Sequence, residues 1–194
     1  TADELAIIRD NTVDELGINL YYPHRVKAPA RAWNPETPFH PAWYYEPFEL
    51  PGRRMNKSRG WEIYPRIIYD MAMRIKDEYR NIPWFIAESG MGIENEGQFR
   101  DNDGVIQDDY RIAFIGEHLF EALRAREDGA NCQGYMLWAF TDNVSPMNAF
   151  KNRYGLVEID LQHQRARRLK KSASWYRGVS ESRSLTLNLD DEWK

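Results

Sequence analysis

The apolar run Pro83-Trp84-Phe85-Ile86-Ala87 ends at a carboxylate, Glu88, followed by Ser89 and Gly90. A short run without polar alternation is the pattern of a strand buried on both faces, so it predicts a parallel strand with Glu88 just past its end. A carboxylate there can serve as a nucleophile, because barrel enzymes place catalytic groups at the C-terminal ends of their strands. By position alone the other reading is an acid that ends a strand or caps a helix. Upstream, residues 13–22 form a β-rich run stopped by Pro23. Asn19 and Tyr21, two positions apart on that strand, point to one side and are placed to converge on Glu88. A tyrosine hydroxyl donating to a carboxylate favours its ionised form, which a nucleophile requires.

Residues 4–9 resemble the tail of a helix that precedes the first strand. Residues 23–59 form a long proline-bearing loop with Trp33 and Trp43-Tyr44-Tyr45, and loops of this length usually carry function. Aromatic faces beside polar groups suit sugar rings; the other reading, which composition alone favours, is that they anchor a loop onto a core. From Trp61 the pattern becomes helical, with Ile63, Ile67, Met71 and Ile75 at four-residue spacing, Pro65 in the first turn and an end near Arg80. A polar loop over 94–104 leads to a second helix whose face is Ile112, Ile115, Leu119 and Leu123, stopped by Gly129. Residues 134–139 predict a third buried strand, 154–169 a hairpin turning at 160–164, and 172–178 a final helix.

Alternating strands and helices imply parallel strands with crossover helices, an α/β architecture. The extra length always follows a strand, which is the habit of a (β/α)8 TIM barrel whose βα loops build the active site. Three βα units cannot close an eight-stranded barrel, and their open sheet would leave apolar edges exposed. Residues 1–194 are therefore expected to be part of a single larger barrel domain, with no second domain.

Composition narrows the functional classes. The chain has 26 Lys and Arg against 30 Asp and Glu, a formal charge of −4, and 42% hydrophobic residues, which excludes a disordered or fibrous chain. The nearest basic cluster, residues 165–171, is short, so no nucleic-acid partner is expected. No apolar stretch approaches a membrane span and no leader pattern opens the chain, so neither a membrane partner nor export is expected. A lone cysteine, Cys132, rules out an internal disulfide and a multi-cysteine metal site, and a reducing cytoplasm is the simplest compartment.

Four segments in order carry a family resemblance: Leu16-Gly17-Ile18-Asn19-Leu20-Tyr21-Tyr22, Gly60-Trp61-Glu62-Ile63-Tyr64-Pro65, Phe85-Ile86-Ala87-Glu88-Ser89-Gly90, and Gly134-Tyr135-Met136-Leu137-Trp138-Ala139-Phe140-Thr141-Asp142-Asn143. Together they resemble the family 1 glycoside hydrolases over residues 14–176. That family implies a (β/α)8 barrel that hydrolyses β-glycosides with retention. By motif, the resemblance makes Glu88 the nucleophile and Tyr21 the residue that orients it. Asn19 would contact the sugar and Trp138 would wall its subsite. Ala87 and Ser89 stand where the family usually has Thr and Asn.

Retaining hydrolysis needs a second carboxyl about 5–5.5 Å from the nucleophile. The family supplies it from an Asn-Glu-Pro motif after the fourth strand. That motif is absent here, and Glu36, Glu46 and Glu49 are poor substitutes. The resemblance thus makes this chain the last three βα units, with the N-terminal part of the barrel, and its acid/base Glu, outside it.

After Trp138 the chain reads Asp142-Asn143-Val144-Ser145-Pro146, with Ser145 where the family's glucosidases carry a glutamate for the sugar O4 and O6. Ser145, Lys151 and Tyr154 resemble the phosphate clamp of the 6-phospho-β-glycosidases of that family. The Lys151-Asn152-Arg153-Tyr154 order leaves open whether Lys151 or Arg153 points inward, and a solvated basic loop is the other reading. Pro146, where the galactosidase branch has Trp, favours gluco over galacto. The implied activity is retaining hydrolysis of 6-phospho-β-glucosides to glucose 6-phosphate and an aglycone, in the cytoplasm and without metal or cofactor. A β-glucosidase for unphosphorylated glucosides and a non-catalytic sugar-phosphate binding fragment are the alternatives.

Overall fold

A computed structural model describes residues 1–31, 34, 36 and 38–187; Trp33 lies outside the described residues. Helix α1 (Ala2–Asp10) opens with a capping box between Thr1 and Glu4 and buries none of its residues. It leads into β1 (Leu16–Asn19), less than half the length expected. The partner strand sets that limit: the ladder runs from the Leu16 N–H to the Pro83 carbonyl, 3.0 Å, to the Leu20 N–H on the Glu88 carbonyl, 2.7 Å.

The long loop is less irregular than its composition suggests, because it carries two small antiparallel hairpins. One pairs β2 (Val26–Lys27) with β3 (Glu46–Pro47), and the other pairs β4 (Met55–Asn56) with β5 (Trp61–Glu62). Trp61 thus belongs to a strand and not to the helix. Gly60 at φ +67 makes the hairpin turn, and a residue before proline is kept out of the helical region, which excludes Tyr64. Helix α2 (Ile67–Glu78) begins only after Pro65.

Strand β6 (Trp84–Ser89) includes Glu88, so the acid belongs to the strand's last turn of pleat and does not follow it. After it come β7 (Ile93–Glu94) and a 3-10 turn over Glu96–Phe99, inside what reads as a polar loop. Helix α3 (Asp109–Glu127) turns Arg111, Phe114, Ile115, His118, Ala122 and Ala125 inward. Its buried face is rotated from the expected one, and Leu123 is 46% exposed. Strand β8 (Cys132–Leu137) is parallel to β6. The expectation of a strand buried on both faces fails for it: β8 is the edge of the sheet and Met136 is 56% exposed, on a face that no other described element covers fully.

The chain ends in β9 (Asn152–Arg153), which pairs with β7, the antiparallel hairpin β10 (Val157–Asp160) with β11 (Ala166–Leu169), and α4 (Lys171–Ser182), longer than expected. The central sheet has the order β1-β6-β8, all parallel, with α2 and α3 as the crossovers. One core joins Ile68, Ala72 and Ile75 of α2 to Trp84 and Ile86 of β6. A second joins Phe114 and Ile115 to Ile63, Met91 and Leu156, beneath the loops that leave the strands. Among the described residues no helix is long and apolar enough to cross a membrane, and no group of three His, Cys, Asp or Glu is placed to hold a metal ion.

Candidate active site

At the C-terminal ends of β1 and β6 the Tyr21 hydroxyl donates to Glu88 Oε2 at 2.9 Å. Burial, then the bond to Glu88, pushes the Tyr21 pKa far up, so the hydroxyl keeps its proton and remains a donor. Asn19 lies opposite Glu88 in the parallel register, after an irregularity between Ile18 and Asn19, and its side chain is exposed at the mouth. Of the expected convergence on Glu88, the structure shows the bond from Tyr21; Asn19 lies beside Glu88 in the backbone register, with no hydrogen bond between their side chains among the described residues.

Trp138 is fixed by the end of β6: its N–H donates to the Ser89 carbonyl at 2.8 Å. A Cβ on Gly90 would lie 1.8 Å from the Trp138 carbonyl oxygen, so only glycine fits between the two strand ends. Gly92 plays the same part for Tyr154, whose ring carbon Cζ would be 2.3 Å from a Cβ there. Tyr154 is 7% exposed, with its ring on the backbone just after Glu88.

Ser145 and Lys151 sit further out. Ser145 and Ala149 close a small loop by exchanging backbone bonds of 2.9 and 2.8 Å, and the Ser145 hydroxyl accepts the Met147 N–H. Lys151, 64% exposed, pairs with Glu94 at 3.2 Å. Arg153 turns the other way, towards Asp142 at 3.6 Å and the Ile159 carbonyl at 3.3 Å, with its guanidinium over the Phe150 ring. No hydrogen bond joins the side chains of Ser145, Lys151 and Tyr154 among the described residues. Of the acids weighed as second carboxyls, Glu46 is engaged by the Ala30 N–H at 2.7 Å and Glu49 by Arg53 at 3.3 Å.

Sequence reasoning misses the buried charge network beneath these loops. Arg111 binds Asp108 at 2.9 Å, Glu96, and the carbonyls of Met91 at 2.5 Å and Tyr154 at 3.1 Å. Lys170 binds Glu96 and Asp142, the latter at 2.9 Å. Asp142 in turn accepts the Gly155 N–H at 2.9 Å. Lys170 comes from the run read as the nearest basic surface, yet it is 1% exposed. These ion pairs clamp the segments carrying Met91 and Tyr154 to the body of the domain. Asp142 was legible as part of a motif; its partners were not.

Aromatic stacking extends the site outward from Tyr21. Its ring lies 5.5 Å from Trp61, which stacks on Tyr22 at 4.6 Å and 17°. The Arg59 guanidinium covers Trp61 at 4.2 Å. Arg25 grips Glu62, beside Trp61, with two bonds of 2.6 Å and so fixes the hairpin that presents the ring.

The family model for glycosyl hydrolase family 1 matches residues 1–185. The chain is 52% identical over 180 residues to the 6-phospho-beta-glucosidase GmuD of Bacillus subtilis (strain 168), covering 93% of this chain and 39% of that protein. It is 34% identical over 186 residues to a 6-phospho-beta-galactosidase of Clostridium acetobutylicum, covering 89% of this chain and 37% of that one. Among solved structures, a beta-glucosidase from Thermotoga maritima in complex with noeuromycin superposes with a TM-score of 0.78 at 28% identity, over 95% of this chain and 38% of its own. The chain thus spans about two fifths of the length of these relatives. Its three parallel strands and their helices are about three βα units of a TIM barrel.

Proposed function

We propose, from the premise that this chain belongs to glycosyl hydrolase family 1, that it supplies the nucleophile side of a retaining glycosidase acting on 6-phospho-β-glucosides. The observation that carries the reading is the Tyr21–Glu88 hydrogen bond at the strand ends. In this mechanism a Glu88 oxygen attacks the anomeric carbon, and the bond to the leaving oxygen breaks as a second carboxyl protonates it. The same carboxyl then takes a proton from water, which cleaves the glycosyl ester and frees Glu88. Tyr21 holds one carboxylate oxygen in place for the attack. Asn19, at the same level of the sheet, contacts the sugar, and Trp138 walls its subsite.

The second carboxyl lies on the part of the barrel that these residues do not contain, so the chain alone is inactive. Sugar-phosphate specificity rests on Ser145, which leaves O6 free of the repulsion a glutamate would exert, and on Lys151 and Tyr154. Similarity to 6-phospho-β-glucosidase and 6-phospho-β-galactosidase sequences supports a phosphorylated substrate, and Pro146 supports the gluco configuration. Such substrates reside in the cytoplasm, where the enzyme would act.

The test compares nitrophenyl β-glucoside with its 6-phosphate on the full-length enzyme. A preference for the phosphorylated substrate, reduced about ten- to hundred-fold in kcat/KM by Lys151→Ala, is the expected outcome, since one charge-assisted bond contributes about 1.5–3 kcal/mol. Equal turnover of both substrates would replace this reading by a plain β-glucosidase.

A further inference from the structure

Arg59 is distinguished by what it lacks. Every other arginine that is not exposed, among the described residues, has a carboxylate partner: Arg25 with Glu62, Arg53 with Glu49, Arg54 with Glu117, Arg100 with Glu158, Arg111 with Glu96, Arg124 with Glu121 and Arg153 with Asp142. Arg59 has none. Its one side-chain hydrogen bond runs from Nη1 to Asn152 Oδ1 at 3.2 Å, and its Nε is buried without a partner. A cation drawn partly out of water without a counter-charge raises the free energy of the fold. Such a cost is maintained where a ligand supplies the missing charge.

The position fits an anionic ligand of the active site. The guanidinium lies flat on Trp61, 4.2 Å from the ring centre, and Trp61 touches Tyr21, which bonds Glu88. Arg59 is close enough to Tyr154 to oppose the upward pull that burial exerts on that hydroxyl's pKa. Asn152, its anchor, also reaches the Ser58 carbonyl and Glu94, both at 3.4 Å. Arg59 is thus tied to the loop that carries Lys151 and Tyr154. Of the three cations Lys151, Arg153 and Arg59, the first is offset by Glu94 and the second by Asp142, and Arg59 alone of the three has no carboxylate among the described residues.

We propose that Arg59 is a specificity-determining residue that binds the phosphate of the substrate, sharing it with Tyr154 across the Asn152 anchor. The inference rests on the 6-phosphoglucoside reading and names a group from the loop after β1, a different βα unit from Ser145, Lys151 and Tyr154. Stacking on Trp61 and the bond to Asn152 hold the guanidinium plane while Nη2 makes no hydrogen bond among the described residues, the pre-organised arrangement in which arginine binds phosphate.

The experiment measures kcat and KM of the full-length enzyme on nitrophenyl β-glucoside 6-phosphate and on nitrophenyl β-glucoside, for wild type, Arg59→Gln and Arg59→Lys. The proposal expects Arg59→Gln to cut the phosphorylated-to-plain ratio of kcat/KM at least ten-fold, mainly through KM. Arg59→Lys should recover part of that ratio, and competition by glucose 6-phosphate should weaken in parallel with the KM effect. Equal losses on both substrates, or a ratio unchanged in Arg59→Gln while wild type prefers the phosphorylated substrate, would overturn the role of Arg59 alone. Absence of any preference in wild type would overturn the underlying reading together with it.

Discussion

The hydroxyl of Tyr21, two residues past Asn19, reaches Oε2 of Glu88 at 2.9 Å and so joins the ends of two adjacent parallel strands through their side chains. A neutral donor kept protonated by its surroundings holds the carboxylate without neutralising it, and the charge remains available for attack. Tyr21→Phe removes that donor and little else. A hydrogen bond to a charged group contributes about 1.5–3 kcal/mol, so kcat/KM of the full-length enzyme should fall roughly ten- to hundred-fold. Steady-state kinetics on nitrophenyl β-glucoside 6-phosphate checks this, and a loss below about three-fold would remove Tyr21 from the machinery.

Gly90→Ala should be far more damaging than its size suggests. The added methyl meets the Trp138 carbonyl oxygen at 1.8 Å, so backbone must move at the two strand ends that carry Glu88 and Trp138. Activity should be lost together with several degrees of Tm. Gly178→Ala, with open space around its Cβ inside α4, provides the contrast and should leave Tm unchanged or slightly raised.

The neighbouring lysines 170 and 171 should differ sharply in stability effect. Lys170→Met strands the buried Glu96 and Asp142 carboxylates without one of their cations, and breaking a buried pair costs about 3–5 kcal/mol. Lys171 pairs with Asp109 at the surface, so Lys171→Met should cost less than about 1 kcal/mol. Urea unfolding of the two variants gives both numbers, and similar midpoints would contradict the clamp.

Acid sensitivity should trace in part to His118. Burial, opposed in part by the bond to the Phe114 carbonyl, brings its pKa down to about 4, and its Nε2 has no partner. The unfolded chain takes up this proton near pH 6.5 and the fold only near 4. Stability from this site is therefore complete above about pH 6.5 and declines as pH falls towards 4, by roughly 3 kcal/mol at most. His118→Leu should flatten the dependence of unfolding free energy on pH across that window, and an unchanged slope would mean another group titrates there.

The parts of this site that local pattern encodes were legible in the sequence. The run ending at Glu88 announces a buried strand and its terminal acid; the period of two does not carry from Asn19 to Tyr21, because the strand ends at Asn19 after an irregularity, and Tyr21 reaches Glu88 from beyond it. Residues 61–66 misled because the four-residue series Ile63, Ile67, Met71, Ile75 runs back across Pro65, which keeps Tyr64 out of the helical region, so the helix begins only at Ile67. Arg59 and Lys170 were out of reach for another reason. Their partners Asn152 and Glu96 lie 93 and 74 positions away, and a charge looks the same in sequence whether it faces water or a buried acid. Leu123 shows the converse: its spacing fits a core face, yet the helix turns that face partly outward, because Arg111 and His118 occupy the inward positions.

The most direct measurement is the site of covalent capture. An activated 2-deoxy-2-fluoro-β-glucoside 6-phosphate forms the glycosyl ester in a retaining enzyme but hydrolyses from it slowly, so the label can be mapped by mass spectrometry of a digest of the full-length enzyme. The account predicts a single label, on the peptide carrying Glu88, absent in Glu88→Gln. A label on another carboxylate, or none in an enzyme that turns over the parent substrate, would contradict Glu88 as the nucleophile.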